Sequence, residues 1–180
     1  MQYVALLRGI NVGGNNKIEM KKLKTVFEEA GLHDVTTYIN SGNIVFQDAI
    51  RSQNKLVTLL EKAIFENFGL SIKVLIRDFP SIQNTVQMFP SDWTNDADMK
   101  CDVLFLWEDV DNEDVLSQLA IKPDIDEVRY VPGAVIWKID RENLAKSGMK
   151  NLIGTKLYKN MTIRNCNTTR KILHLMEEQG

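Results

Sequence analysis

Apolar residues fill consecutive positions in Val4-Ala5-Leu6-Leu7, and the run stops at Gly9 before a stretch rich in Gly and Asn. That pattern predicts a buried strand over residues 3–8 with a turn after it. Met20, Leu23, Phe27 and Ala30 then recur every three or four residues between charged positions, which predicts an amphipathic helix closed by Gly31. Residues 35–40 and 43–46 are rich in β-formers and flank Ser41-Gly42, a hairpin signal. Leu56, Leu59, Leu60, Ala63, Ile64 and Phe68 predict a second helix ending at Gly69, and residues 72–76 a fourth strand. The order is βαββαβ.

Asp78, Pro80 and Pro90 bracket a connecting helix and loop over residues 79–95. The series then repeats, with a strand at 102–107, a helix at 111–120, and a hairpin of 127–131 and 134–139 turning at Pro132-Gly133. A short helix near 144–153, a strand at 161–164 and a helix at 168–177 complete it. Even the hairpins echo, since residues 38–46 align with 130–137 after one gap. The chain therefore reads as α+β, with two ferredoxin-like split-βαβ subdomains packed together and an extra C-terminal helix. The expected division is residues 1–88, a connector at 89–95, and residues 96–180. Val103-Leu104-Phe105-Leu106-Trp107 repeats the all-apolar pattern of the first strand, so both faces of these strands should be buried. Helices cover one face of such a sheet; the other unit or a second chain must cover the other.

Charge changes this picture, because the net of -2 hides a segregation. Residues 89–142 carry 5 basic and 14 acidic side chains, whereas residues 143–180 carry 7 and 2. The acidic segment 92–114 reads as solvated surface or as a face for a basic protein partner. A pI near 5.7 lacks the cation excess that nucleic-acid binding needs, so that partner is disfavoured. No apolar run approaches the roughly 20 residues of a membrane span, and residues 1–4 carry no basic leader; no membrane association is expected, and the expected location is cytoplasmic. Cys101 and Cys166 have no CxxC partner, which fits a reducing compartment, and His33 and His174 belong to no metal or triad pattern. No metal is expected, and no cofactor is specified.

Three polar clusters are candidates for chemistry. The first, Arg8 to Lys17, contains Asn11, Gly13 and Gly14 between the first strand and the first helix, where backbone N–H groups and a helix N-terminus can meet an anion. Its spacing fits neither common nucleotide-binding glycine motif. The second is Asn40, Ser41 and Asn43 in the first hairpin. If the first and third strands are adjacent and antiparallel, Arg8 and Asn43 become neighbours and the two clusters converge. The third is Arg164, Asn165 and Asn167, where Asn167 or Thr168 could cap the last helix and the guanidinium offers bidentate anion binding. Cys166, beside Arg164, could have a lowered pKa or could simply pack. Carboxylates are scarce near all three, so two-carboxylate acid/base chemistry has little support.

The motifs RGINVGG-x-NKI-x-M (Arg8 to Met20), TYI-x-SGN-x-VF (Thr37 to Phe46) and T-x-RN-x-NT (Thr162 to Thr168) together resemble the bacterial domain-of-unknown-function family 1697 (DUF 1697) over essentially the whole chain. That family commonly has Trp where this chain has Cys166, which questions any stacking role there. The resemblance implies an α+β fold of two related subdomains and no reaction. The residues themselves favour binding of a small anionic, phosphate- or carboxylate-bearing ligand by Arg8, Asn11, Gly13, Gly14, Lys17, Asn40, Ser41, Asn43, Arg164, Asn165 and Asn167. Any catalysis would rest on electrostatic stabilisation, and whether there is catalysis stays open. The alternatives are nucleic-acid binding with Tyr3, Tyr38 and Phe46 as stacking platforms, and a protein-interaction module using the acidic segment. Oligomeric state is not specified.

Overall fold

A computed structural model describes residues 1–180. β1 (Gln2–Leu7) leads through a loop to α1 (Met20–Glu29), followed by β2 (His33–Tyr38), β3 (Asn43–Gln47), α2 (Gln53–Phe68) and β4 (Val74–Asp78). After α3 (Phe79–Gln87) come β5 (Met99–Leu106), α4 (Val115–Gln118), β6 (Asp126–Val131), β7 (Ala134–Asp140), β8 (Met161–Asn165) and α5 (Cys166–Gln179). Each series closes into a four-stranded antiparallel sheet, ordered β2-β3-β1-β4 in one and β6-β7-β5-β8 in the other. The architecture is mixed α+β, and the first and third strands of each series are the central pair.

The chain partitions into two compact units, Met1–Phe79 with Ile172–Gly180, and Pro80–Lys171. The sequence places the division at a connector over residues 89–95 and assigns the last helix wholly to the second half. Two sets of bonds account for the difference. Arg129 Nη1 donates to the carbonyl of Met88 at 2.9 Å, holding the end of α3 to the second unit. The late turns of α5 serve the first sheet: Gln2 Nε2 donates to Met176 O at 2.7 Å, Gln47 Nε2 to Gln179 O at 3.0 Å, and Gln179 Nε2 to Asp34 O at 2.8 Å.

In the first unit, Tyr3, Ala5, Leu7, Ile44, Phe46, Val74 and Ile76 face α1 and α2, which contribute Leu23, Phe27, Leu56, Leu60 and Ile64. Those helical residues recur at intervals of four, the period that lays one apolar stripe on the sheet. Each such burial stabilises the fold by about 1.5–3 kcal/mol before entropy is counted. Val4 and Leu6, on the opposite face of β1, are equally buried, so the continuous apolar run is explained by burial on both faces.

The second unit has less regular cover. Leu104, Leu106, Val135, Trp137 and Ile139 pack against Val115, Leu119, Met149, Leu152 and Leu157. The expected helix over 111–120 is reduced to Val115–Gln118, after a 3-10 turn at Glu108–Val110. The reason is a long-range contact: the Asp111 carboxylate accepts hydrogen bonds from Tyr130 Oη at 3.0 Å and from the Gly133 N–H at 2.8 Å, which holds it to the hairpin and out of a helix. The helix expected near 144–153 is two 3-10 turns, Arg141–Lys146 and Gly148–Asn151, broken at Ser147. Ser147 Oγ donates to Asp126 Oδ1 at 2.6 Å and accepts from the Met149 N–H, and a Cβ on Gly148 would lie 1.5 Å from Ala120 O.

Both central strands end in the same way. The Leu7 N–H donates to Gly42 O at 2.9 Å and the Arg8 N–H to Lys73 O at 3.0 Å; the Leu106 N–H donates to Gly133 O at 2.9 Å and the Trp107 N–H to Asn160 O at 3.0 Å. Gly42 (φ 84°) and Gly133 (φ 95°) occupy the left-handed region at matching positions in the two hairpins.

Asp126 generates a pH prediction. Burial alone would push its carboxyl up, but the Ser147 hydroxyl and the amides of Lys122 and Gly148 outweigh that and hold it below the usual value. A lowered folded pKa gives stability that is present above the unfolded value of about 3.9 and is lost as pH falls through the folded one. Asp126→Asn should cost about 2 kcal/mol at pH 7 in urea unfolding and show a shallower loss of stability below about pH 4 than the wild type.

Candidate functional site

β1 delivers Arg8, half-exposed, to the end of the first sheet, and the chain then folds back on itself. The Asn11 N–H donates to Asn16 O at 3.1 Å and the Asn15 N–H to Val12 O at 2.9 Å, with Gly13 (φ 57°) and Gly14 (φ 78°) between them. Two left-handed central residues make a tight primed turn, which glycine adopts without steric cost. The glycines therefore serve a hairpin tip. They are not at a helix N-terminus as the sequence suggests, because residues 15–19 separate Gly14 from α1, whose cap position is Glu19.

Asn11 organises this end of the sheet. Its Nδ2 donates to Ile18 O at 3.0 Å and to Asn40 O at 2.8 Å, and its Oδ1 accepts from the Ile18 N–H at 2.8 Å. One side chain thereby closes the base of the loop 11–18 and ties it to the first hairpin. Asn16 Nδ2 adds a bond to Gly9 O at 2.9 Å. Asn43 is fully buried, and its Nδ2 donates to Tyr38 O and to Ser41 Oγ, each at 3.0 Å, which closes the turn from inside. The register pairs Asn43 with Leu6, so Arg8 lies two residues beyond the position expected for it. Gly42 is obligatory, since a Cβ there would come within 2.8 Å of both Leu7 Cβ and Ile10 Cδ1. Ile39, a β-branched residue, is held at φ 48°, a conformation that costs on the order of 1–3 kcal/mol.

Arg8, Asn11, Asn40 and Ser41 thus share one end of the first sheet, with Gly13, Gly14 and Lys17 on the exposed loop that Asn11 anchors. The sequence reading missed Lys73, whose carbonyl accepts from the Arg8 N–H. Strand order contained the signal, because the start of β4 must lie beside the end of an antiparallel β1.

In the second unit, Asn165 caps α5: its Oδ1 accepts from the Thr168 N–H at 2.8 Å. This corrects the expectation that Asn167 or Thr168 is the cap. Asn167 instead exchanges bonds with the backbone of Asn95, donating from Nδ2 to its carbonyl at 2.8 Å and accepting from its N–H at 3.2 Å. Arg164 is buried, and its Nη1 donates to Thr162 Oγ1 at 3.0 Å and Ile163 O at 2.9 Å. Burial pushes its pKa down to about 10, which leaves it a cation at neutral pH. The guanidinium beside Cys166 belongs to Arg170, at 3.9 Å, which also donates to Trp93 O and Pro90 O and stacks on Phe89.

The residues behind the alternative functions are placed as follows. Tyr3 and Phe46 lie in the helix-covered core with ring centroids 5.8 Å apart, so neither offers a stacking platform; Tyr38 is half-buried. In the acidic segment, Asp111 anchors a hairpin, Asp102 pairs with Lys100 at 2.9 Å, and Asp96 is held low by the Thr94 hydroxyl and the amides of Asp98 and Met99. Asp92, Asp98, Glu108, Asp109, Glu113 and Asp114 are exposed. No three His, Cys, Asp or Glu residues are grouped to hold a metal ion, and no helix is long and apolar enough to cross a membrane.

Residues 1–137 match the family described as "Protein of unknown function (DUF1697)". Among solved structures, the chain is similar to the conserved bacterial protein SP0830 from Streptococcus pneumoniae. The two are 30% identical, with 97% of this chain and 98% of that chain covered and a TM-score of 0.82. No curated protein matches it.

The hairpin makes two opposite predictions for stability. Gly42→Ala should cost about 2–3 kcal/mol, from contact with Leu7 and Ile10 and from its positive φ. Ile39→Gly should add up to about 1 kcal/mol by relieving the strained backbone. Urea unfolding of both variants, with unchanged slopes, checks the pair.

Proposed function

The chain belongs to the DUF1697 family, and on that premise we propose that it binds a small anionic ligand, phosphate- or carboxylate-bearing, at the end of the first sheet where β1 and β3 meet. The observation that carries this reading is the Asn11 clasp, which holds the loop bearing Lys17 and the hairpin bearing Asn40 and Ser41 against each other. The Arg8 N–H donates to the Lys73 carbonyl, so Lys73 joins Arg8 and Lys17 as a basic residue borne by the backbone at this end of the sheet. Gly9, Gly13 and Gly14 are exposed and carry no Cβ, leaving their N–H groups open to close approach by a ligand oxygen. Arg8 and Lys17 would neutralise the anion, and Asn40 and Ser41 would orient it. Asn43 would act by shaping the turn.

The reading rests on the first unit. In the second, the side chains of Asn165 and Asn167 are engaged in capping α5 and in holding Asn95, and Arg164 is the cationic member of the set. Each unit is best read as a ferredoxin-like split-βαβ module, which the order β2-β3-β1-β4 and its counterpart support.

A thermal-shift screen against inorganic phosphate, nucleotides and small carboxylates tests the proposal. A ligand at 100 times its Kd should stabilise the fold by about 2.7 kcal/mol. Lys17→Ala, a change at an exposed side chain, should leave the ligand-free melting temperature unchanged and weaken binding about tenfold, equivalent to about 1.4 kcal/mol. Binding that is identical in wild type and Lys17→Ala, or no shift with any anion, would refute it.

A further inference from the structure

Cys101 and Cys166 are the chain's two cysteines, distant in sequence, and the second sheet brings them together. β5 and β8 pair antiparallel, and their ladder ends with Asp102 opposite Asn165; Cys101 precedes Asp102 in β5 and Cys166 follows Asn165 as the residue that opens α5, so both flank that last pair. Both side chains are buried, and the two thiols hydrogen-bond to each other. Two thiols within hydrogen-bond reach of each other are close enough for the S–S bond to form after a small side-chain rotation. Cys166 is also the first residue of α5, and its Sγ lies 3.9 Å from Arg170 Nη1.

We infer that Cys101 and Cys166 form a reversible dithiol–disulfide pair oxidised by hydrogen peroxide, with Cys166 as the attacking thiol and Cys101 as the resolving one. The two thiols are unequal. The hydrogen bond from Cys101 and the Arg170 guanidinium hold Cys166 low against the effect of burial, while the same hydrogen bond and burial push Cys101 up. In the first step the Cys166 thiolate attacks a peroxide oxygen: the S–O bond forms, the O–O bond breaks, and the departing hydroxide takes a proton to become water. In the second, Cys101 sulfur attacks the Cys166 sulfenic sulfur: the S–S bond forms, the S–O bond breaks, and hydroxide leaves with the Cys101 proton as a second water. Two thiols lose two hydrogens, and one peroxide is reduced.

Burial selects the oxidant. The connector lies over Cys166, whose Sγ donates to Trp93 O at 3.5 Å, and Arg170 and Asn167 bind that connector at Pro90, Trp93 and Asn95. A molecule the size of peroxide should reach the sulfur where glutathione disulfide does not.

The test exposes the purified full chain to hydrogen peroxide at a dose that leaves its far-UV spectrum native, then unfolds and alkylates it. The expected result is loss of both alkylatable thiols, an intact mass lower by two hydrogens, a peptide linking residues 101 and 166, and full reversal by dithiothreitol. Oxidised glutathione should give none of these. Cys101→Ala should accumulate a dimedone-reactive sulfenic acid at Cys166, and Cys166→Ala should keep Cys101 alkylatable. Full alkylation of the wild type at a dose that oxidises a free cysteine peptide would overturn the inference. So would a disulfide between molecules, or oxidation of Cys101 in Cys166→Ala at the wild-type rate. If either variant fails to fold, the wild-type peptide map decides alone.

Discussion

The bond from the last N–H of each central strand to a left-handed glycine carbonyl sets the register of its sheet. Leu7 to Gly42 and Leu106 to Gly133 are the two instances, each 2.9 Å long. Because side chains alternate along a strand, a slip of one residue at this bond would exchange the two faces. In the first unit Asn43 would then turn into the helix-covered core, and Ile44 would leave it. Neither glycine can be replaced cheaply by a residue with a Cβ, since both need positive φ, and at position 42 the space is occupied as well.

On this shared frame the two units place different side chains at one position, a neutral amide and a carboxylate. In each, a side chain from the loop after the central strand reaches the neighbouring hairpin. Asn11 reaches the carbonyl of Asn40, whereas Asp111 receives the Tyr130 hydroxyl and the Gly133 N–H. The amide is neutral and adds no charge at its end of the sheet. The carboxylate puts a negative charge at the equivalent place, and Tyr130 pays for it with a pKa pushed up to about 12, by burial first and the Asp111 bond second. One geometry therefore supports two electrostatic environments.

The strands and the long helices were legible because burial on one or two faces leaves a period that elementary geometry reads directly. Central strands came from consecutive apolar residues, and α2 from leucines four apart. What failed was local and polar. Asp111 and Ser147 lie within stretches with helical spacing, but each finds a better partner far away in sequence, in Gly133 and Asp126. The role of Asn165 as a cap was hidden because several polar residues stand in a row and any of them could serve. The end of α5 was assigned to the wrong partner since nothing in the pattern of a helix says which sheet its last turns will meet. At the candidate site the separate jobs of the asparagines are not legible: Asn11, Asn43 and Asn165 look alike as letters, and only their places in the fold make one a clasp, one a turn-closer and one a cap.

The first unit takes its sheet from one end of the chain and its final bonds from the other, through Met176 and Gln179. Its strands lie within residues 1–79, yet the edge at β2 receives its Gln179 contacts from residues 172–180. The second unit, by contrast, is drawn from one continuous stretch, Pro80–Lys171. The first unit is thereby discontinuous: residues more than 130 positions apart along the chain must both be in place before its β2 edge is complete.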